Sequence, residues 1–350
     1  MAWLREEDSE IFEREFREFL PETLFDSHVH VWLETFLPQM DQLVNPSLPR
    51  VVREWTVEEL EAFYREVLPG REVLFLLFGM PYKGIDLKAN NDYVAGFIDG
   101  EKRFGLLLTS STTPLDEIRR SVEEHKFCGY KPYWTLVPGK EQNEVTIFDM
   151  VGEDQWVYAN ERGLVVVLHI PRKMRLRDPL NFEQLRSILA GFPKVKLVLA
   201  HGGRSYCLEH LEEHIVDSLQ KFPNLFWDIT AIQNGNVLEF LFRRVAPERI
   251  IFGSDMPIAL ARGRMVCVNA QNVFVTEEAF PWSLSNPALG YRFTFMLYES
   301  IRSVKRACQR VGWSLKEVEK IFYSNAYTLV KGVWETLTKG GSDFEGKAQG

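Results

Sequence analysis

The chain has 350 residues, enough for one large domain or two modest ones. Hydrophobic residues make up 45% and charged residues 26%, a balance that can bury a large core, and a net charge of −8 offers no basic surface for a phosphate backbone. Nucleic acid is therefore not an expected partner.

The first residues, Met1 to Asp8, carry charges where a secretory signal needs an apolar stretch. No apolar run approaches the ~20 residues that span a bilayer, so no membrane segment is expected. Cys128, Cys207, Cys267 and Cys308 are scattered without a CxxC pair. They read as four reduced cysteines in a cytoplasmic protein.

Residues 9–20 read as an N-terminal flanking helix. Short runs of Val, Leu, Ile and Phe then recur at 23–30, 72–78, 103–108, 127–131, 164–169, 195–201, 224–229 and 249–255. Near-continuous apolar runs fit strands covered on both faces, as parallel strands are. The segments between them are long enough for crossover helices; Asp178-Pro179, for example, opens one. Eight such units in about 250 residues predict an α/β fold, a (β/α)8 TIM-like barrel, as one domain with its core over residues 22–337. Insertions at 31–71 and 256–290 follow strand C-termini and are expected at the barrel mouth, where loops shape a substrate pocket. Residues 292–337 read as C-terminal flanking helices, and 338–350 as a frayed tail.

The histidines carry the chemistry. Of seven, His28 and His30 end the first run, His169 the fifth and His201 the sixth, while Asp255 ends the eighth. In a parallel barrel all strand C-termini open on one face, so these side chains are expected to meet there. His28 and His30, two apart, point the same way. Neutral imidazoles with one carboxylate suit zinc or a similar divalent ion. His125, His210 and His214 fall in or beside helices and read as surface residues.

With these pieces in place, the sequence resembles the amidohydrolase superfamily, in the branch that includes aminocarboxymuconate-semialdehyde decarboxylase and several lactone hydrolases. The matching pieces run in order over residues 22–337. They are Phe25-Asp26-Ser27-His28-Val29-His30, then His169, Leu199-Ala200-His201-Gly202-Gly203, Phe252-Gly253-Ser254-Asp255-Met256-Pro257 and Asn325-Ala326. The resemblance implies one divalent metal held by His28, His30, His169 and Asp255, with His201 and Asp255 catalytic, and a homodimer. Zinc is the first expectation; manganese, iron or nickel would accept the same ligands.

Physical chemistry fits that division. A divalent ion lowers the pKa of bound water toward ~7. Asp255 can take the water's proton and pass it on, and His201 can orient the nucleophile or stabilise a developing oxyanion. Asp26 either steadies a ligand histidine or makes a strand-end hydrogen bond. Lys131 is expected to bind a substrate carboxylate, or else, as in two-metal members of the superfamily, to bridge metals after carboxylation. Arg172 and Arg204 are expected to clamp an anionic group, and Tyr133, Trp134 and Tyr82 to line an aromatic wall. Gly202-Gly203 reads as room for the backbone to approach ligand or metal. The leading expectation is hydrolysis of a small carboxylate-bearing lactone or amide-like substrate. Non-oxidative decarboxylation is the second, and an inactive scaffold the third.

Overall fold

The computed structural model describes residues 3–38 and 51–339. Residues 39–50 of the first insertion, and almost all of the expected tail, lie outside them.

All eight expected runs carry strand. Strands β1 (Thr23–His30), β2 (Glu72–Phe78) and β3 (Arg103–Gly105) form a three-stranded parallel sheet. Strands β4 (Leu107–Thr109), β5 (Gly129–Pro132), β6 (Val165–Leu168), β7 (Lys196–Leu199), β8 (Leu225–Asp228) and β9 (Ile250–Ile251) form a six-stranded parallel sheet in chain order. The third run is thus split at Leu106, whose amide donates to the Leu77 carbonyl at 2.9 Å while the Cys128 amide donates to Gly105 at 2.9 Å. The eighth run is regular only at Ile250–Ile251. Past it the chain turns to β1: Ser27 N–H donates to Phe252 (3.2 Å), Asp255 N–H to His28 (3.0 Å) and His30 N–H to Met256 (2.9 Å). The result is an α/β fold of parallel sheets with helices packed around them.

The strands are buried along nearly their whole length, from Leu24 and Phe25 to Ile250 and Ile251, in one continuous apolar cluster. Each fully buried Val, Leu or Phe contributes about 1.5–3 kcal/mol. The helices start where the sequence places caps. Thr56 and Glu59 form a capping box ahead of helix Val57–Val67, and Asp178 accepts from the amides of Leu180 and Asn181 ahead of Pro179–Gly191. At the N-terminus a helix covers Glu6–Ile11 and continues as a wider turn over Phe12–Phe16. Helices Met296–Val311 and Asn325–Lys339 are the expected C-terminal flank. None of the described helices is long and apolar enough to cross a membrane.

Two findings go beyond the sequence reading. Within the second insertion, β10 (Gly263–Val268) and β11 (Gln271–Thr276) form an antiparallel hairpin, and β12 (Ser283–Leu284) joins β11 in parallel. Its two-residue turn, Asn269-Ala270, has both φ positive (51° and 60°). In addition, Cys207 and Cys267 are joined by a disulfide, while Cys128 and Cys308 are free and buried. The expectation of four reduced cysteines is corrected, and the argument for a cytoplasmic location that rested on it falls too. Cysteines 60 positions apart give no local signal; the hairpin brings them together.

Candidate metal centre

The register of β1 shifts between Asp26 and Val29, a bulge at Ser27-His28. It leaves Asp26 and His28 with separate tasks. Asp26 accepts from the amides of His28 (3.2 Å) and Ser254 (2.8 Å), from the Tyr64 hydroxyl (2.5 Å) and from Ser254 Oγ (2.5 Å). Burial pushes its pKa up to about 6, against those four bonds. Asp26 therefore touches no imidazole. It ties β1 to the segment after β9, the strand-end alternative of the two considered.

His28, His30 and His201 are each pinned through Nδ1. The Asp228 carboxylate accepts from His28 at 2.7 Å, the Gly79 carbonyl from His30 at 2.9 Å and the Thr230 carbonyl from His201 at 3.0 Å. A carbonyl only accepts, so Nδ1 carries the proton and Nε2 keeps its lone pair. Burial, reinforced by the Lys131 charge, holds all three neutral: His30 is lowered to about 3, His201 to about 4, and His28 well below the usual range. Asp255 Oδ1 lies 3.6 Å from both His28 Nε2 and His30 Nε2. His28, His201 and Asp255 have ligand atoms all within 4.8 Å of one another. Among the described residues the buried Nδ1 of His169 has no partner, and its Nε2 faces the Tyr133 hydroxyl at 3.3 Å. His30 and His169 fall outside that close group, although both line the same cavity; inward imidazole lone pairs with one carboxylate fit a divalent cation.

His201 begins a left-handed turn in which His201, Gly202, Gly203 and Arg204 all have positive φ (55°, 56°, 72° and 61°). Methyl groups on Gly202 and Gly203 would press on Ile232, Leu241 and Leu176. The glycines thus serve the turn that presents His201 and its packing against the neighbouring chains, which replaces the reading of them as an approach to ligand.

The metal-ligand candidates floor a cavity of about 340 Å³ lined by His28, His30, His169, His201 and Asp255. Its walls carry six aromatic side chains, Tyr82, Tyr133, Trp134, Tyr206, Phe274 and Trp282, with Lys83, Lys140 and Glu141 also on the lining. Tyr82, Tyr133 and Trp134 were expected here; Tyr206, Phe274 and Trp282 were not. The other expected anion binders do not line it. Lys131 is wholly buried, its Nζ 3.0 Å from His28 Nε2 and 4.8 Å above the Phe78 ring, with burial lowering its pKa to about 8. The Arg204 guanidinium is spent on the carbonyls of Ile170, Pro171 and Arg172, and Arg172 on Asp178 (2.9 Å) and the Asn143 carbonyl. Buried backbone oxygens at these loops needed donors, and the arginines supply them. Asp228 is the functional candidate that the sequence reading missed, although a carboxylate closing the seventh run was visible.

No curated protein matches the sequence. Among solved structures, the chain is similar to "Amidohydrolase 2" from Bifidobacterium longum subsp. infantis, at 14% identity and TM-score 0.54, over 89% of this chain and 99% of that one. It is similar to a zinc-bound amidohydrolase from Burkholderia multivorans (13%, TM-score 0.58, 88% and 99%). It is also similar to a dihydroxybenzoic acid decarboxylase from Polaromonas sp. JS666 with bound manganese and the inhibitor 2-nitroresorcinol (14%, TM-score 0.52, 89% and 97%). At these identities the likeness speaks for the fold alone. The sequence itself goes further: the amidohydrolase family model matches residues 25–331, which takes in every metal-ligand candidate on the cavity floor, and the chain belongs to that family.

Proposed function

We propose that the protein is a metal-dependent hydrolase that uses an activated water on a small, carboxylate-bearing lactone or amide-like substrate. The observation that carries this is the set of inward imidazole lone pairs and one carboxylate on the floor of an aromatic cavity. We infer that the two parallel sheets close as a barrel, since backbone bonds link Leu77 to Leu106 on one side and β1 to Phe252–Met256 on the other. Residues 22–337 then act as one catalytic domain.

His28, His30, His169 and Asp255 would hold the ion, with zinc first among candidates. A bound divalent cation would supply Lewis acidity to the substrate carbonyl and to water. Asp255 would take the proton of the attacking water at a carboxylate oxygen, since it is the carboxylate that lines the cavity beside His28 and His30. His201 would orient that water through Nε2, because its only proton faces Thr230. That tautomer excludes His201 as donor to an oxyanion. Lys131 and Arg204, which among the described residues have no carboxylate hydrogen-bonded to them, would offset the charges of Asp228 and Asp255 and so favour an anionic substrate without touching it.

The aromatic walls favour one second reading, decarboxylation of a planar ring acid, in keeping with the name of the Polaromonas relative. Metal-loaded protein incubated with panels of lactones and aromatic acids tests both. Proton release without carbon dioxide is expected; carbon dioxide from any acid would replace the first reading by the second, and no turnover of either panel would remove both.

A further inference from the structure

The hairpin supplies part of the cavity wall. Phe274 lies on β11, and Trp282 just before β12 packs edge-on to it at 5.1 Å and stacks on Phe280 at 4.7 Å. Tyr206 also lines the cavity, with its ring 5.6 Å from that of His201. Cys207 is the next residue, and it is bonded to Cys267 on β10; the Tyr206 carbonyl lies 3.1 Å from Cys267 Sγ. One covalent bond therefore spans the two parts of the wall.

The other ties at this end of the hairpin are polar. His210 Nε2 donates to the Ala270 carbonyl at 2.9 Å, and Arg175 donates to Asn272 Oδ1 at 2.5 Å. The first is exposed, where water competes with it. Cys207 is fully buried and Cys267 half-buried, so a reductant meets the Cys267 sulfur first.

We propose that Cys207 and Cys267 are a positioning pair that holds the Phe274–Trp282 wall of the substrate cavity against Tyr206, and that reducing their bond releases this wall. The inference rests on the reading of this cavity as the substrate site. A dithiol reductant performs the step: its thiolate attacks Cys267 Sγ, Cys207 departs as a thiolate and takes up a proton, and the reductant's second thiol then frees Cys267 by closing its own disulfide. Two electrons pass to the protein, which gains two thiols.

Hydrogen exchange and benzoate binding, measured on the oxidised protein, on protein reduced with dithiothreitol and freed of it, and after reoxidation, test the pair. Thiol titration verifies reduction, since Cys128 and Cys308 are buried with thiol pKa values pushed up. Amides of residues 266–275 should exchange at least ~10-fold faster on reduction and benzoate should bind at least ~5-fold more weakly, both reversed by reoxidation. The Cys207→Ser/Cys267→Ser double variant should match the reduced form. Unchanged exchange in verified reduced protein, or faster exchange with unchanged benzoate affinity, overturns the proposal. Absence of benzoate binding by the oxidised protein would instead count against the carboxylate-substrate reading, and exchange alone would then decide whether the pair holds the wall.

Discussion

Asp228→Asn removes one charge beneath His28 and keeps the side chain's shape. The contact it alters is a 2.7 Å charge-assisted bond between groups that are each about 1% exposed. Such bonds contribute about 1.5–3 kcal/mol. The other Asp228 oxygen accepts from both the amide and the hydroxyl of Thr230. An asparagine that keeps its oxygen there turns its amino group toward His28 Nδ1–H, donor against donor. His28 then tilts away or moves its proton to Nε2, the atom meant for the cation. Loss of such a supporting carboxylate lowers metal affinity ~10- to 100-fold. At about 1.4 kcal/mol per tenfold this is about 1.4–2.8 kcal/mol, in line with the worth of the bond. Competition against a chromogenic chelator at neutral pH measures the affinity, with circular dichroism as the check on folding. A folded Asp228→Asn protein that binds zinc as tightly as the parent would refute the tautomer argument.

Three further outcomes are expected. His169→Ala should lose the stoichiometric metal, whereas His201→Asn should keep it while activity falls ~10²-fold or more; elemental analysis giving the reverse pattern would make His28, His201 and Asp255 the cage. Gly253→Ala should destabilise by about 1–3 kcal/mol in denaturant melts, because the added methyl would lie 2.3 Å from Thr230 Oγ1 and 2.5 Å from His28 Cβ; an unchanged midpoint would contradict this close approach. Asp8 is paired through both oxygens with Arg262 (2.7 and 3.1 Å) and is about 1% exposed, so Asp8→Ala should cost about 3 kcal/mol at pH 7. Burial pushes the Asp8 pKa up, but Arg262, the Arg5 amide and Thr294 outweigh it and leave the carboxyl below 3.8. A lowered carboxylate pKa stabilises above the unfolded value and ceases to as pH falls through the folded one. The gap between parent and variant should therefore be constant above about pH 5 and narrow below 3.8; a gap independent of pH would show that the charge is not the cause.

The strands and the cavity floor were legible because both are written in runs. Unbroken Val, Leu and Ile marked parallel strands, and their last residues supplied His28, His30, His169, His201 and Asp255. The hairpin was less legible. Its turn uses Asn269-Ala270 where Asn-Gly would have announced it, and β11, with Gln271-Asn272 followed by Val273-Phe274-Val275, lacks the alternation of polar and apolar residues that marks a half-buried strand. The disulfide depended on that hairpin and was missed with it. Lys131, Arg172 and Arg204 lie off the cavity lining for a different reason. Charged residues near a strand end look like ligands for an anion, yet the neighbouring carbonyls and ring faces that take them up belong to distant segments. Asp228 was overlooked because its role is defined by His28, 200 positions away.

The Asp26–Ser254 bonds join segments 228 positions apart, and through them the first strand meets the last. No N-terminal fragment ending before residue 250 can own this site, however well it folds, because its one carboxylate, Asp255, and the Ser254 clamp on His28's strand arrive only with the final stretch. Uptake of a divalent ion should thus report the last stage of folding, and the long sequence separation of that contact predicts slow assembly.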